Sequence, residues 1–156
     1  MKSKAIRILA IGKIKCAYWK EACAHYIKLI SRWQNIECVD LRDANPALSV
    51  EKKREQEGER IREQLKAGDY IIALDENGQK PTSGEFACLL EKLDVEAGRV
   101  NFVIGGPFGI ETSILRDSSL LLSLSAMTWP HELARTMLLE QIFRANCIRH
   151  NFPYHH

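Results

Sequence analysis

No two cysteines of this chain stand in a C-x-x-C pair. The five present, Cys16, Cys23, Cys38, Cys88 and Cys147, are scattered and odd in number. That spacing excludes the close ligand pairs of a structural zinc site and predicts reduced thiols. Cys16 and Cys23 read as small apolar packing residues. Long apolar runs are also missing: the longest, Ser119 to Trp129, is broken by serines and falls short of the roughly 20 residues a spanning helix needs. The basic start, Met1 to Lys4, leads into an apolar run holding Arg7 and Lys13, with no small-residue cleavage site. The expectation is a chain without a secretory leader, off the membrane and in the cytoplasm. Nucleotide fingerprints are absent as well. There is no G-x-G-x-x-G after the first apolar run (only Gly12), no G-x-x-x-x-G-K-[ST] and no G-x-S-x-G. A conventional dehydrogenase, a P-loop ATPase and an α/β-hydrolase are thereby disfavoured.

What is present is the composition of an ordinary globular protein: 156 residues, 46% hydrophobic and 27% charged. A chain of this length folds as one domain, residues 1–156, burying about 70% of the surface it exposes when unfolded. The net charge of +2 hides an asymmetry. Residues 1–35 carry Lys2, Lys4, Arg7, Lys13, Lys15, Lys20, Lys28 and Arg32 against Glu21 alone. Such a segment is either a face that meets phosphate backbones or a solvated surface balanced by acids elsewhere in the fold. The mixed run 51–63 (EKKREQEGERIRE) suits a solvated helix held by i,i+4 pairs, and no function is read from it.

Hydrophobic periodicity alternates between short runs and helical stretches. Strands are predicted at Ile6–Ile11, Ile36–Leu41, Tyr70–Leu74, Val100–Ile104 and Leu120–Ala126. Helices are predicted at about 16–33, from a Ser49 cap to about Lys66 with Gly68 as stop, from Thr82 or Ser83 to Gly98, a short one from about Glu111, and a long one at about 132–149. A turn is expected at Asp75-Glu76-Asn77-Gly78. Strands alternating with helices predict an α/β fold with a mostly parallel sheet.

In an open sheet of this kind, ligands bind at loops beyond the carboxyl ends of the strands. Three loops qualify: Leu74 to Gly78, Gly105 to Gly109, and Ser125 to His131. The glycines at 105, 106 and 109 either let a ligand approach the backbone or serve a tight turn around Pro107. His150, His155 and His156 read as solvated terminal histidines, and no metal is expected.

Together these segments carry a resemblance that spans nearly the whole chain. The stretch Ser123 to Arg144, the GGPFG loop, the Leu74-Asp75 turn with Gly78, the opening I-x-x-x-G-K-x-K from Ile8 to Lys15, and the Pro-Tyr-His ending resemble the bacterial ribosomal large-subunit pseudouridine N3-methyltransferases of the SPOUT superfamily. The resemblance implies a C-terminal trefoil knot, a homodimer, and S-adenosyl-L-methionine as cofactor. It implies a cofactor pocket made of Leu74, Asp75, Gly105, Gly106, Ser125, Ala126, Met127, Thr128, Trp129 and Pro130. The implied substrate is the pseudouridine at position 1915 of 23S rRNA, in helix 69, within the assembled 70S ribosome.

For the chemistry, the resemblance points to His155, Tyr154 and Arg144. An imidazole accepts protons around neutrality, a phenol can orient or stack on a base, and a guanidinium can hold a phosphate or polarise a carbonyl. The tail is expected to dock over a cofactor site, with the dimer partner completing the substrate surface. Phe152, Phe143 and Trp129 depart from the family pattern, which often has a polar residue, Tyr and Leu at those places. Two other readings stay open: an RNA-binding module without turnover, and a methyltransferase of the same fold acting on another RNA such as tRNA.

Overall fold

Along the first strand Ile6, Ile8 and Ala10 bury on one face while Leu9 and Ile11 bury on the other. A strand apolar on both faces belongs in the middle of a parallel sheet covered on both sides. The computed structural model describes residues 3–155, with side chains from Ala5 onward. Lys2, His156 and the side chain of Lys4, named above, lie outside that description. The element order is β1 (Ser3–Ile11), α1 (Ala17–Ile30), β2 (Gln34–Leu41), α2 (Val50–Gln64), β3 (Tyr70–Gln79), α3 (Ser83–Glu96), β4 (Val100–Ile104), α4 (Thr112–Asp117), β5 (Leu120–Leu122) and α5 (His131–Arg149).

The five strands form one sheet in the order β2-β1-β4-β3-β5, and every pairing is parallel. Helices α1, α3 and α5 cover one face through Cys23, Ile30, Phe86, Leu90, Leu138 and Ile142. Helices α2 and α4 cover the other through Ile61 and Ile114. Among the described residues no helix is long and apolar enough to cross a membrane.

Local chemistry explains most boundaries. Ser49 caps α2 by accepting the Lys52 N–H, and Thr82 with Glu85 forms a reciprocal capping box at α3. Two boundaries differ from the sequence expectation. β3 does not stop at Leu74 but continues to Gln79, because Leu74 and Gln79 both pair with Leu122 and the expected turn is a bulge within the strand. β5 ends at Leu122, well before Ala126: the Ser123 hydroxyl donates to the Ser125 carbonyl at 2.8 Å and the Ser125 hydroxyl accepts the Met127 N–H at 3.0 Å. These serine bonds compete with a sheet ladder and turn the chain away from it.

The basic N-terminal segment is also less uniform than its composition. Arg7 is buried, with Nε on Glu37 at 3.0 Å and Nη1 on the Gln64 carbonyl at 3.0 Å. It ties β1 to its neighbours and presents nothing to a phosphate. Lys13, Lys15, Lys20, Lys28 and Arg32 are exposed.

Candidate active site

Leu74, where the β3 bulge begins, and Ile104 and Leu122, at the carboxyl ends of β4 and β5, form the wall of one cavity of about 490 Å³. Nine of the ten residues expected at a cofactor pocket line it: Leu74, Asp75, Gly105, Gly106, Ser125, Met127, Thr128, Trp129 and Pro130. Ala126 does not. Glu76, Pro107 and His131, which belong to the three flagged loops without having been named as pocket residues, also line it. Ala134, one turn into α5 and outside those loops, was missed.

Each loop owes its shape to a specific contact. In the β3 bulge the Asp75 carboxylate accepts the Asn77 N–H at 2.9 Å, and Gly78 lies against β5. A Cβ on Gly78 would stand 2.6 Å from the Leu121 carbonyl carbon. In the glycine loop the Gly109 N–H donates to the Gly106 carbonyl at 3.0 Å, with Gly109 at φ +85°, a conformation that favours glycine. A Cβ on Gly105 would meet Ile110 Cγ1 at 2.7 Å, and one on Gly106 would meet Ile11 Cγ2 at 3.1 Å and Glu57 Oε2 at 3.2 Å. Of the two roles open for these glycines, packing of the tight turn therefore accounts for both. The third loop feeds α5, where the Ala134 N–H donates to the Pro130 carbonyl at 2.9 Å.

Two buried charges brace this end of the sheet. Arg135, 3% exposed, donates from Nη1 to Asp40 at 2.6 Å and from Nη2 to the Gly12 carbonyl at 3.0 Å. It fixes the first turns of α5, where His131 and Ala134 face the cavity, to the ends of β1 and β2. Glu57, 4% exposed, accepts the Ala44 N–H on Oε1 at 3.1 Å, while Oε2 has no hydrogen-bond partner. Burial raises its carboxyl above the ordinary range, with the Ala44 N–H pulling the other way. Neither residue stands out in the sequence.

The C-terminal residues form a separate cluster. Asn151 adopts a left-handed conformation (φ 51°) and the Phe152 N–H returns to the Cys147 carbonyl at 2.8 Å, reversing the chain onto α5. Tyr154 then packs on Phe143 at 4.7 Å between ring centroids and donates to Glu140 at 3.1 Å. Glu140 also accepts from Nε and Nη2 of Arg144 at 2.9 and 2.6 Å, and Arg144 Nη1 lies 3.2 Å from His155 Nδ1. The fold thus brings Arg144, Tyr154 and His155 together around Glu140, a residue the sequence did not single out. Burial, reinforced by the Glu140 charge and hydrogen bond, pushes the Tyr154 phenol up to about 12. The Glu140 bond also raises Arg144.

None of these three residues lines the 490 Å³ cavity. The tail does not dock over this cavity of its own chain; it packs beside Trp33 and Phe143. Arg144 lies thirteen residues beyond His131 on α5, about 20 Å along a helix rising 1.5 Å per residue. A second cavity, of about 400 Å³, lies between: it reaches Glu140 and shares Leu122, Ser123 and Leu124 with the first.

A family pattern described as "Predicted SPOUT methyltransferase" matches residues 4–155. The chain belongs to the SPOUT methyltransferase family. Among its relatives, the "Ribosomal RNA large subunit methyltransferase H" of Desulfovibrio desulfuricans is 47% identical, with both chains covered in full. The protein of the same name from Nitratidesulfovibrio vulgaris is 43% identical over 98% of this chain and 99% of its own. That of Lawsonia intracellularis is 40% identical, again over both full lengths. A solved structure, "Crystal Structure of Probable Methyltransferase from Bordetella pertussis Tohama I", shares the fold at a TM-score of 0.52 and 14% identity, over 90% of this chain and 95% of that one.

Proposed function

We propose that this chain is an S-adenosyl-L-methionine-dependent methyltransferase acting on N3 of the pseudouridine at position 1915 of 23S rRNA, in helix 69 of the assembled 70S ribosome. The observation that carries this reading is full-length similarity to proteins named as ribosomal RNA large subunit methyltransferases. In the same reading residues 1–156 are one SPOUT-type domain with a C-terminal trefoil knot, working as a homodimer in the cytoplasm.

The cavity suits the cofactor. Its volume of about 490 Å³ falls in the range of small-molecule sites. Leu74, Ile104, Leu122 and Trp129 offer apolar walls to an adenine ring. Asp75 and Glu76 offer carboxylates to ribose hydroxyls and to a cation. When bound, the cofactor supplies a methyl group already activated on a sulfonium. What remains for the protein is alignment and removal of the N3 proton.

The tail cluster divides those tasks. Tyr154, held protonated with a pKa of about 12, is a donor and a stacking surface, not a base. His155 is the base in this reading. It accepts at Nδ1 once the Arg144 guanidinium leaves it for a substrate phosphate or carbonyl. The distance along α5 between this cluster and its own cavity supports a site completed by the tail of a second copy.

Transfer of labelled methyl to intact 70S ribosomes, with free 23S rRNA and tRNA alongside, tests the proposal. Label in 23S rRNA from intact ribosomes, mapped to that pseudouridine, is the expected result. Label in tRNA overturns the substrate and keeps the chemistry. No transfer, with no saturable heat on titrating the cofactor, makes the chain an RNA-binding module.

A further inference from the structure

The charged run 51–63 carries no function in the sequence, yet one turn of α2 reaches the glycine loop at the mouth of the cavity. Lys53 Nζ lies 4.6 Å from the ring centroid of Phe108, and Arg54 Nε donates to the Phe108 carbonyl at 2.6 Å. Phe108 sits between Pro107 and Gly109, both of which line the cavity. It is nevertheless 38% exposed, where an apolar side chain of its size is ordinarily buried.

Lys52 is taken up by Glu55 at 2.8 Å, whereas Lys53 and Arg54 make no ion pair among the described residues. An exposed aromatic ring beside two cations that make no ion pair matches single-stranded RNA: a base stacks on the ring and the adjoining phosphate meets the charge.

We propose that Phe108, Lys53 and Arg54 form an RNA-contact site at the mouth of the cavity. An unpaired nucleobase stacks on Phe108, Lys53 holds its flanking phosphate, and Arg54 fixes the loop backbone that presents the ring. This rests on reading the chain as an RNA methyltransferase. It gives the target loop a foothold on the chain that owns the cavity, separate from the tail cluster on α5.

The test compares wild type with Phe108→Ala, Phe108→Tyr and Lys53→Gln in methyl transfer to 70S ribosomes, with cofactor affinity measured by calorimetry. Phe108→Ala is expected to raise KM for ribosomes about tenfold, the effect falling on KM rather than kcat and sparing cofactor affinity. Phe108→Tyr restores KM. Lys53→Gln, a change at a half-buried side chain that removes the charge and leaves Phe108 itself unaltered, raises KM severalfold and weakens its dependence on salt. An unchanged KM in Phe108→Ala, beside an active wild type, overturns the contact. So does a loss confined to cofactor affinity, which makes Phe108 a brace of the glycine loop. Should wild type transfer no methyl, the enzyme reading falls, and binding of a fluorescent single-stranded RNA hairpin decides the contact. About tenfold weaker binding by Phe108→Ala upholds it, and equal binding overturns it.

Discussion

Arg144 Nη1 stands 3.2 Å from Nδ1 of His155. A guanidinium has no acceptor, so the imidazole nitrogen facing it must be the unprotonated one and the proton of the neutral ring sits on Nε2. The same Arg144 is anchored from its other side by Glu140 at 2.6 and 2.9 Å. Glu140 therefore sets the tautomer of His155 through one intervening side chain, and it does so without touching the histidine.

This fixes a spectroscopic expectation. In the neutral ring, long-range proton–nitrogen spectra show Nδ1 bare and Nε2 carrying hydrogen. Arg144→Leu, which removes the donor, returns His155 to the mixture of tautomers of a solvated histidine side chain. An unaltered tautomer in that variant would mean the contact does not hold the ring.

Tyr154 gives a prediction in alkali. Its phenol is pushed up to about 12 by burial first, then by the charge and hydrogen bond of Glu140. An unfolded tyrosine titrates near 10. Stability attached to this group is thus complete below about pH 10 and is lost as pH rises from there through about 12. Glu140→Gln removes the charge but not the burial, so its tyrosinate absorbance appears at lower pH than in wild type while staying above that of free tyrosine. A curve superimposable on wild type would remove Glu140 from the explanation.

Glu57 predicts a trend of the same sign at lower pH. Burial raises its carboxyl, and Asp43 adds to this, while the Ala44 N–H, Arg60 and Lys53 draw it back. A folded pKa above the unfolded one means that the native state binds the proton more tightly. Its share of stability is fullest in acid and falls as pH climbs from about 4.3 through the raised value. Glu57→Gln keeps the acceptor for Ala44 and has no charge to bury. It should be at least as stable as wild type in urea at neutral pH, and the advantage should vanish near pH 4. A uniform loss at both pH values would show that Gln does not fit the site.

The sequence was a good guide wherever the signal is local. The Ser49 and Thr82 caps and the buried run Val100–Ile104 lie where periodicity and side-chain chemistry place them. The serines after Leu122 misled because an apolar run reads as strand until serine bonds are seen to bend it. The site was legible in its loops and not in its supports. Arg135 meets Asp40 across 95 positions and Arg54 meets Phe108 across 54, and a single chain gives no periodic signal for such pairs. Glu57 and Arg7 looked like two more surface charges in charged segments, and only their surroundings show them buried.

Gly78 tests the bulge that carries Asp75 and Glu76 into the cavity. A Cβ there would lie 2.6 to 2.7 Å from the backbone of Leu121 and Leu122, and backbone yields less readily than a side chain. Gly78→Ala should destabilise the protein by about 1–3 kcal/mol and weaken cofactor binding in parallel, since the displaced strand is a wall of the site. Thermal denaturation and calorimetry check both. Loss of stability with cofactor affinity intact would separate the bulge from the cavity.

The pair of Arg135 and Asp40 tests how the base of the cavity is held. The Arg135 side chain is 4% exposed and that of Asp40 is 40% exposed, so the two are not equivalent. Asp40→Asn leaves the buried guanidinium without a compensating carboxylate, held by the Gly12 carbonyl and a neutral amide oxygen. Asp40→Asn is therefore expected to cost about 2 kcal/mol in urea denaturation, at the upper end for a surface pair because one partner is desolvated. Arg135→Met removes the group that needs compensation. Adding Asp40→Asn to it should cost well under half of what Asp40→Asn costs alone, a coupling that a double-mutant cycle reads directly. Additive losses would mean that Asp40 acts on something other than Arg135.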